Sequence, residues 1–156
     1  MATGEGSTCS YQKTGKTTIY DVKSKTKIHE WTHGDSVNIV SFSNDGRLLA
    51  TGGSAKKTTI YDVKSKTKIY QWTHDGEVNS VSFSNDGRLL ATGDNANKTT
   101  IYDVTSKTKI HEFIHDNSVL NVSFSNDGRL LATGDDANKT TIYLSLIHIS
   151  EPTRPY

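Results

Sequence analysis

The chain has little of what stabilises secreted domains or spans membranes. Its 156 residues include one cysteine, Cys9, so no disulfide can form within the chain. No apolar run approaches the roughly 20 residues that cross a bilayer. The N-terminal sequence MATGEGSTCS lacks the charged and apolar regions of a signal peptide. These absences predict an intracellular protein, in the cytoplasm or alternatively the nucleus, with no membrane partner.

An excess of charge of one sign is also missing. Eighteen Lys and Arg residues balance 17 Asp and Glu residues, for a formal net charge of +1. Proteins that bind nucleic acid or anionic membrane surfaces usually carry a basic patch or stripe. The composition therefore favours neither class of partner.

What the sequence does contain is a repeat of 41 residues. The block VSFSNDGRLLATG occurs three times without change, and the pentapeptide KTTIY occurs four times. The repeated isoleucine of KTTIY stands at Ile19, Ile60, Ile101 and Ile142. A constant period of this length indicates a tandem array of small structural units.

Each unit reads as four strands and no helix. β-Branched and aromatic residues form short runs between turn residues, which in one copy predicts strands at Glu77–Ser84, Arg88–Gly93, Lys98–Val104 and Lys107–Phe113. Gly87 supplies the positive φ that a tight hairpin needs. A four-stranded unit cannot bury both faces alone, so it stacks on copies of itself. The predicted fold class is all-β, an incomplete and open β-propeller of four-stranded antiparallel blades.

The unit resembles the WD repeat over residues 16–143. The family's closing Trp-Asp is matched by Tyr20-Asp21, Tyr61-Asp62 and Tyr102-Asp103, and its Gly-His by Thr32-His33, Thr73-His74 and Ile114-His115. The family's phrase FSPDGRLLASG is matched by FSNDGRLLATG in three copies, with Asn in place of Pro. The resemblance implies the propeller fold and a role in holding other proteins.

In that family a side-chain network links a His, a strand Ser or Thr, a loop Asp and the Trp. In the copy described above, His74, Thr92 and Tyr102 match three members, while the loop Asp position holds Ala96. The resemblance therefore implies structural roles in a network that lacks its aspartate. The residues with implied structural roles are His33, His74, His115, Thr51, Thr92, Thr133, Tyr20, Tyr61, Tyr102, Asp21, Asp62 and Asp103.

Three patterns that resemble chemical sites have simpler interpretations. The tripeptide GKT at Gly15 lacks the second glycine of a phosphate loop, since Ser10 stands there. Histidines 41 residues apart lie on different blades, whereas zinc ligands must converge on one ion. No nucleophile, base and stabiliser can be assembled. We therefore expect no enzyme activity, no cofactor and no metal.

The copies differ mainly in two loops, one that precedes the first strand and one that joins the second strand to the third. In a propeller both loops fall on one face, and loops on a rigid scaffold commonly carry recognition. The alternative is that these loops drift because little constrains them. The candidate partner-binding residues are Gly34, Asp35, Ser36, Asp75, Gly76, Glu77, Asp116, Asn117, Ser118, Ser54, Lys56, Asn95, Asn97, Asp136 and Asn138.

The period also divides the chain. We expect a partial blade and long loop at 1–15, WD-like repeats at 16–56, 57–97 and 98–138, the start of a further copy at 139–143, and a different tail at 144–156. The tail LSLIHISEPTRPY resembles the translation of a sequencing adapter, so we interpret it as non-native. Its segment SLIHIS has β-forming character and can serve as a fourth strand.

Three functions remain open at this stage. The leading hypothesis is a non-catalytic scaffold that binds a protein or peptide through its loops. The second is an accessory sensor or regulatory domain of a larger enzyme, such as a kinase or NTPase, and the third is a propeller that binds glycans or small ligands. Because a closed propeller needs at least four blades, we also expect the exposed blade faces to cause self-association.

Overall fold

A computed structural model describes residues 14–144 of the chain, and within that range all regular structure is β. The strands are β1 (Lys16–Asp21), β2 (Thr26–Thr32), β3 (Val37–Phe42), β4 (Leu48–Gly53), β5 (Lys57–Asp62), β6 (Thr67–Thr73), β7 (Val78–Phe83), β8 (Leu89–Asp94), β9 (Lys98–Asp103), β10 (Thr108–Ile114), β11 (Val119–Phe124), β12 (Leu130–Asp135) and β13 (Thr140–Leu144). Strands β7 to β10 lie within one or two residues of their predicted bounds. The interpretation of residues 1–13 and of SLIHIS lies outside the described residues.

The strands form four antiparallel sheets that follow chain order. Strands β3 to β6 make the first blade and β7 to β10 the second, each in the order in which the strands occur. Strands β1 and β2 make a half-blade before them, and β11 to β13 make a three-stranded third blade after them. The fold class is thereby confirmed as an open propeller of four-stranded blades.

A side-chain hydrogen-bond network closes the hairpin between the first two strands of each blade. In the second blade the Ser84 hydroxyl donates to Asp86 Oδ1 over 2.7 Å and accepts the N–H of Leu89 over 3.0 Å. Gly87 has a φ of 74°, as predicted. Glycine is required there because a Cβ disfavours this backbone conformation.

The blades stack through aliphatic side chains and a glycine. Ala50 and Ile60 of the first blade share a buried cluster with Val78 and Val81 of the second. A Cβ on Gly52 would lie 2.5 Å from Cγ1 of Val78, so the two backbones approach more closely than alanine would allow. The second and third blades repeat this arrangement with equivalent residues.

An aromatic pair packs at the outer part of each junction. Trp72, near the end of β6, stacks on Tyr102 of β9 with ring centroids 4.4 Å apart, and its indole N–H donates to the carbonyl oxygen of Lys107 over 3.3 Å. Phe113 stacks on Tyr143 at 3.9 Å in the next junction. The junctions therefore combine an aliphatic interior with an aromatic outer rim.

Candidate functional site

The two variable loops of each blade meet on one side of the molecule, which we call the loop face. It comprises residues 33–36, 74–77 and 115–118 before the inner strands, and residues 54–56, 95–97 and 136–138 between the second and third strands. Backbone hydrogen bonds join the two loops of each blade. They run from Ser54 N to Ser36 O (3.0 Å), from Asn95 N to Glu77 O (2.9 Å) and from Asp136 N to Ser118 O (3.0 Å).

Side-chain hydrogen bonds connect loops of neighbouring blades. The Ser54 hydroxyl donates to Glu77 Oε2 over 3.3 Å, and the Ser118 hydroxyl donates to the carbonyl oxygen of Asn95 over 3.4 Å. The candidate residues of different blades thus form a continuous surface rather than separate tips.

Exposure divides the candidate residues into three groups. The exposed ones are Gly34, Lys56, Asp75, Asn95, Asp116, Asp136 and Asn138. The partly buried ones are Asp35, Ser36, Ser54, Glu77, Asn97, Asn117 and Ser118. Gly76 is buried, and a Cβ there would meet the backbone nitrogen of Ala96 at 2.5 Å, so it serves the packing of the two loops.

Three of the candidate residues also shape the loop backbone. Lys56, Asn97 and Asn138 occupy the same place in their copies and have φ values of 59°, 67° and 62°. Asparagine adopts this left-handed conformation more readily than lysine does. The residue type at these three positions is therefore constrained by the backbone conformation as well as by any requirement for binding.

Lys98 organises the charges beside the loop face. Its Nζ lies 2.7 Å from Asp75 Oδ2 and 3.4 Å from Glu112 Oε1. The hydrogen bond from Lys98 lowers the pKa of Asp75, whose side chain is largely exposed. An exposed pair of this kind contributes little to stability, but it orients the Asp75 carboxylate at the edge of the loop face.

The histidines of the TH and IH pairs each bond a threonine of the neighbouring third strand. Nε2 of His74 lies 2.8 Å from Oγ1 of Thr58, and its ring meets the ring of Tyr102 edge-on at 5.9 Å. Burial lowers the pKa of His74 to about 4, so the imidazole is neutral at physiological pH. His33 and His115 make the same bond, to Thr17 and Thr99 respectively, at 2.9 Å.

The contacts of His74 include two residues that the sequence did not indicate. The threonine bonded to His74 is Thr58, whereas Thr92 is buried elsewhere on β8. A carboxylate is also present, since Asp94 Oδ2 lies 3.9 Å from Nδ1 of His74, although the expected aspartate position holds Ala96. Asp94 is buried, which raises its pKa, and its Oδ1 accepts the N–H of Ala96 over 2.9 Å.

A sequence signal for this aspartate existed in the comparison of copies. The first copy has Gly53 where the second has Asp94 and the third has Asp135. Oδ1 of Asp135 accepts the N–H of Ala137 over 2.9 Å, as Asp94 does with Ala96. The loop difference therefore includes a buried residue that ties down the loop backbone.

The other residues with implied structural roles occupy equivalent places in their copies. Thr51, Thr92 and Thr133 are buried on the second strand of each blade. Oδ1 of Asp21, Asp62 and Asp103 accepts the N–H of the serine three residues later, over 2.7 to 2.9 Å. Tyr61 and Tyr102 are buried at blade junctions, while Tyr20 is exposed on the half-blade.

Clefts open beside the loop face at successive blade junctions. The cleft between the first and second blades has a volume of about 320 Å³, and Asp75, Asp94 and Glu112 lie in its lining. The equivalent cleft between the half-blade and the first blade has a volume of about 380 Å³. It has Gly53 and Gln71 at the positions of Asp94 and Glu112. The former cleft is therefore more acidic.

Within residues 14–144, no group of three His, Cys, Asp or Glu side chains is placed to hold a metal ion. That same part of the chain contains no helix long and apolar enough to cross a membrane.

Stacked four-stranded blades with a repeated TH or IH pair, an NDG hairpin and a closing Tyr-Asp define a WD-repeat β-propeller protein. The family model "WD domain, G-beta repeat" matches residues 25–62, which confirms the resemblance found in the sequence. The family model "Eukaryotic translation initiation factor eIF2A" matches residues 52–143, more than half of the 156 residues, so the chain belongs to that family. No curated protein matches the chain.

Proposed function

We propose that the chain is a non-catalytic scaffold that binds a protein or peptide partner through its loop face. WD-repeat propellers are typically protein-interaction scaffolds, and both matched families are generally non-catalytic. The observation that carries the proposal is the convergence of the loops that differ most between copies. The copies of the repeat are otherwise similar, and their differences lie in loops that are hydrogen-bonded to loops of the neighbouring blade.

The loop face is held in place before a partner arrives. Backbone bonds join the paired loops, and Asp94 fixes the loop that follows β8 through the N–H groups of Ala96 and Lys98. A pre-organised surface loses less conformational entropy on binding. This rigidity favours a docking role over a surface that folds around its partner.

The charges of the loop face favour a partner segment that carries basic residues. Its candidate residues include five carboxylates and one lysine, Lys56. Asp75 and Asp116 are exposed, and the more acidic cleft opens beside Asp75. Complementary charges of this kind increase the association rate and suppress wrong partners.

The family description gives a context for the partner. The matched family is named for a eukaryotic translation initiation factor. We therefore propose components of translation initiation as the first proteins to test, in particular those with exposed basic segments.

A binding measurement with the full chain tests the proposal. Immobilised wild type is compared with the triple variant Asp35→Asn, Glu77→Gln, Asp116→Asn against a panel of basic peptides and translation-initiation proteins. We expect at least one binder whose affinity falls roughly tenfold or more in the triple variant, since lost charge pairs of this type are worth more than about 1 kcal/mol in total.

The matched control is Glu30→Gln, which removes a carboxylate from β2, outside the loop face. It should bind as wild type does. A binder that tolerates the triple variant, or that is lost equally in the control, would contradict binding through the loop face.

A further inference from the structure

The same strand sequence occurs at both ends of the described chain, each time with one edge unpaired. Strand β1 and strand β13 both contain TTIY. In complete blades this third strand pairs on both sides, as β5 does with β4 and β6. Within residues 14–144, β1 pairs only with the outer strand β2, and β13 pairs only with β12. Among the described strands, β1 therefore has the outer neighbour that β13 does not have, and β13 has the inner neighbour that β1 does not have.

The tyrosine of β1 is exposed where its equivalents are buried. Tyr20 is 61% exposed, whereas Tyr61 is 6% and Tyr102 is 4% exposed. The equivalent tyrosine of β13, Tyr143, stacks on Phe113 of the second blade. A strand β1 placed beside β12 would bring Tyr20 to that same Phe113 ring.

The blade faces at the two ends are complementary for the same reason. Leu130 of the third blade is 41% exposed, while its equivalent Leu89 is 4% exposed and belongs to a cluster with Val122. Val40 of the first blade is 49% exposed, while its equivalents are buried. Leu130 and Val40 are therefore equivalent to a leucine and a valine that pack together between the second and third blades.

Half of one such junction is already present. Ile19 of β1 packs with Leu49 and Tyr61 of the first blade. The missing half is the inner pair of strands that would cover Val40. Strands β11 and β12 of another chain are such a pair, with Leu130 and Ala132 on the required face.

We propose that two copies of this chain assemble by strand exchange, in which β1 of each copy replaces β13 beside β12 of the other. The register follows from the repeat: Ala50 lies opposite Ile60 and Ala132 lies opposite Ile142, so Ala132 of one copy lies opposite Ile19 of the other. Strand β2 accompanies β1 as the outer strand. Strands β11 and β12 of one copy and β1 and β2 of the other then form a complete blade.

The exchange is favourable because little is lost. The TTIY segment that joins β12 is identical to the one that leaves it, so the pairing of those residues is conserved. The assembly additionally buries Val40, Leu130 and Tyr20 and pairs the inner edge of β1. Unpaired strand edges and exposed apolar faces both favour association.

The number of blades sets the number of copies at two. Each copy contributes its two complete blades and the halves that make one more, which is three blades per copy. The described strands of one copy fall short of the four blades that the smallest propellers need, whereas those of two copies give six, within the observed range of about four to eight. A symmetric pair also closes, so assembly stops there.

Sedimentation of the full 156-residue chain tests the proposal. We expect wild type to have twice the 17.2 kDa mass of one chain. Leu130→Lys and Val40→Glu, each tested alone, should sediment at the mass of one chain, because each places a charge in a junction that excludes water. Both positions are exposed within one copy, so circular dichroism should remain that of wild type. Ile114→Lys, a similar change at a residue 76% exposed on β10, should leave the double mass intact.

Mixing the two variants identifies the faces that meet. In a mixed pair one junction joins native Leu130 to native Val40, and the other brings the introduced lysine against the introduced glutamate, so the double mass should return. A single-chain mass for wild type, an open series of larger species, a double mass in either variant alone, or no recovery on mixing would each overturn the proposal. So would loss of the double mass in Ile114→Lys.

Discussion

His74 joins two blades through contacts on both sides of its ring. Its Nε2 bonds to Thr58 of the first blade, while its ring contacts Tyr102 and its Nδ1 faces Asp94 in the second. The ring is buried and neutral in the folded chain. Folding therefore opposes its protonation.

This residue should make stability fall in mild acid. The pKa of His74 is about 4 in the folded chain and near 6.5 when unfolded, so the unfolded chain binds the proton more readily. Stability is full above about pH 6.5 and declines towards pH 4, by on the order of 3 kcal/mol. Urea unfolding at pH 7 and pH 4.5 measures the decline, which should be smaller in His74→Asn.

Other titratable groups also contribute to the change of stability with pH. Burial lowers the pKa of His33 and His115 in the same direction, so part of the decline should persist in the variant. Asp94, whose pKa is raised, opposes the decline at low pH. The matched control is His29→Asn on β2, and an equal flattening in that variant would contradict the assignment to His74.

Single residues also show where prediction from sequence succeeds and fails. The period showed that a histidine recurs at the position of His74, and the resemblance to the WD repeat implied its structural role. Its partners were not predictable from the sequence. Thr58 lies on β5 of the first blade, and Asp94 stands where the first copy has a glycine. A one-dimensional pattern gives equivalent positions, whereas a bond between strands depends on register and on the approach of the next blade.

At the scale of elements, the NDG hairpin is the most self-contained part of the blade. Ser84 and Asp86 satisfy the backbone around the turn, and Gly87 donates its N–H to the carbonyl oxygen of Ser84 over 2.9 Å. The same bonds recur in the other two copies. The sequence predicted this turn because its determinants are local.

Gly87→Ala should therefore destabilise the chain by about 1–2 kcal/mol, the cost of placing a Cβ at positive φ. Gly87→Asn should cost less, because asparagine tolerates the left-handed region. Chemical denaturation of the two variants checks the order. Equal stabilities of Gly87→Ala and wild type would show that the turn relaxes to another conformation.

Other features of the strands and turns needed the structure. The strand bounds followed from β-branched and aromatic runs, but the positive φ of Lys107, before β10, has no glycine or asparagine to indicate it. The wider turn context imposes that conformation on a lysine. Pattern rules based on residue type do not detect such a case.

At the scale of the whole molecule, stability depends on how closely successive blades approach. Gly93 sits where a Cβ would lie 2.6 Å from Cγ1 of Val119 in the next blade. The repeat predicted that blades stack, since four strands cannot bury both faces alone. It did not predict that a glycine sets the separation, because that depends on the relative position of two sheets.

Gly93→Ala should cost about 1–3 kcal/mol, as expected when a methyl group is forced into a close-packed junction. Thermal or urea unfolding measures the loss. Gly34→Ala is the control, because no atom lies within 4 Å of a Cβ at that position. If both variants lost the same stability, the cost would reflect glycine backbone effects rather than blade separation.

The aromatic rim has an optical consequence. The chain has two tryptophans, and each lies at a different junction: Trp31 packs against Tyr61 between the half-blade and the first blade, and Trp72 stacks on Tyr102 between the first and second. Each indole thus emits from one boundary between neighbouring sheets. Replacing either one by phenylalanine leaves a single indole fluorophore, so the order in which neighbouring boundaries separate can be followed without attaching a label.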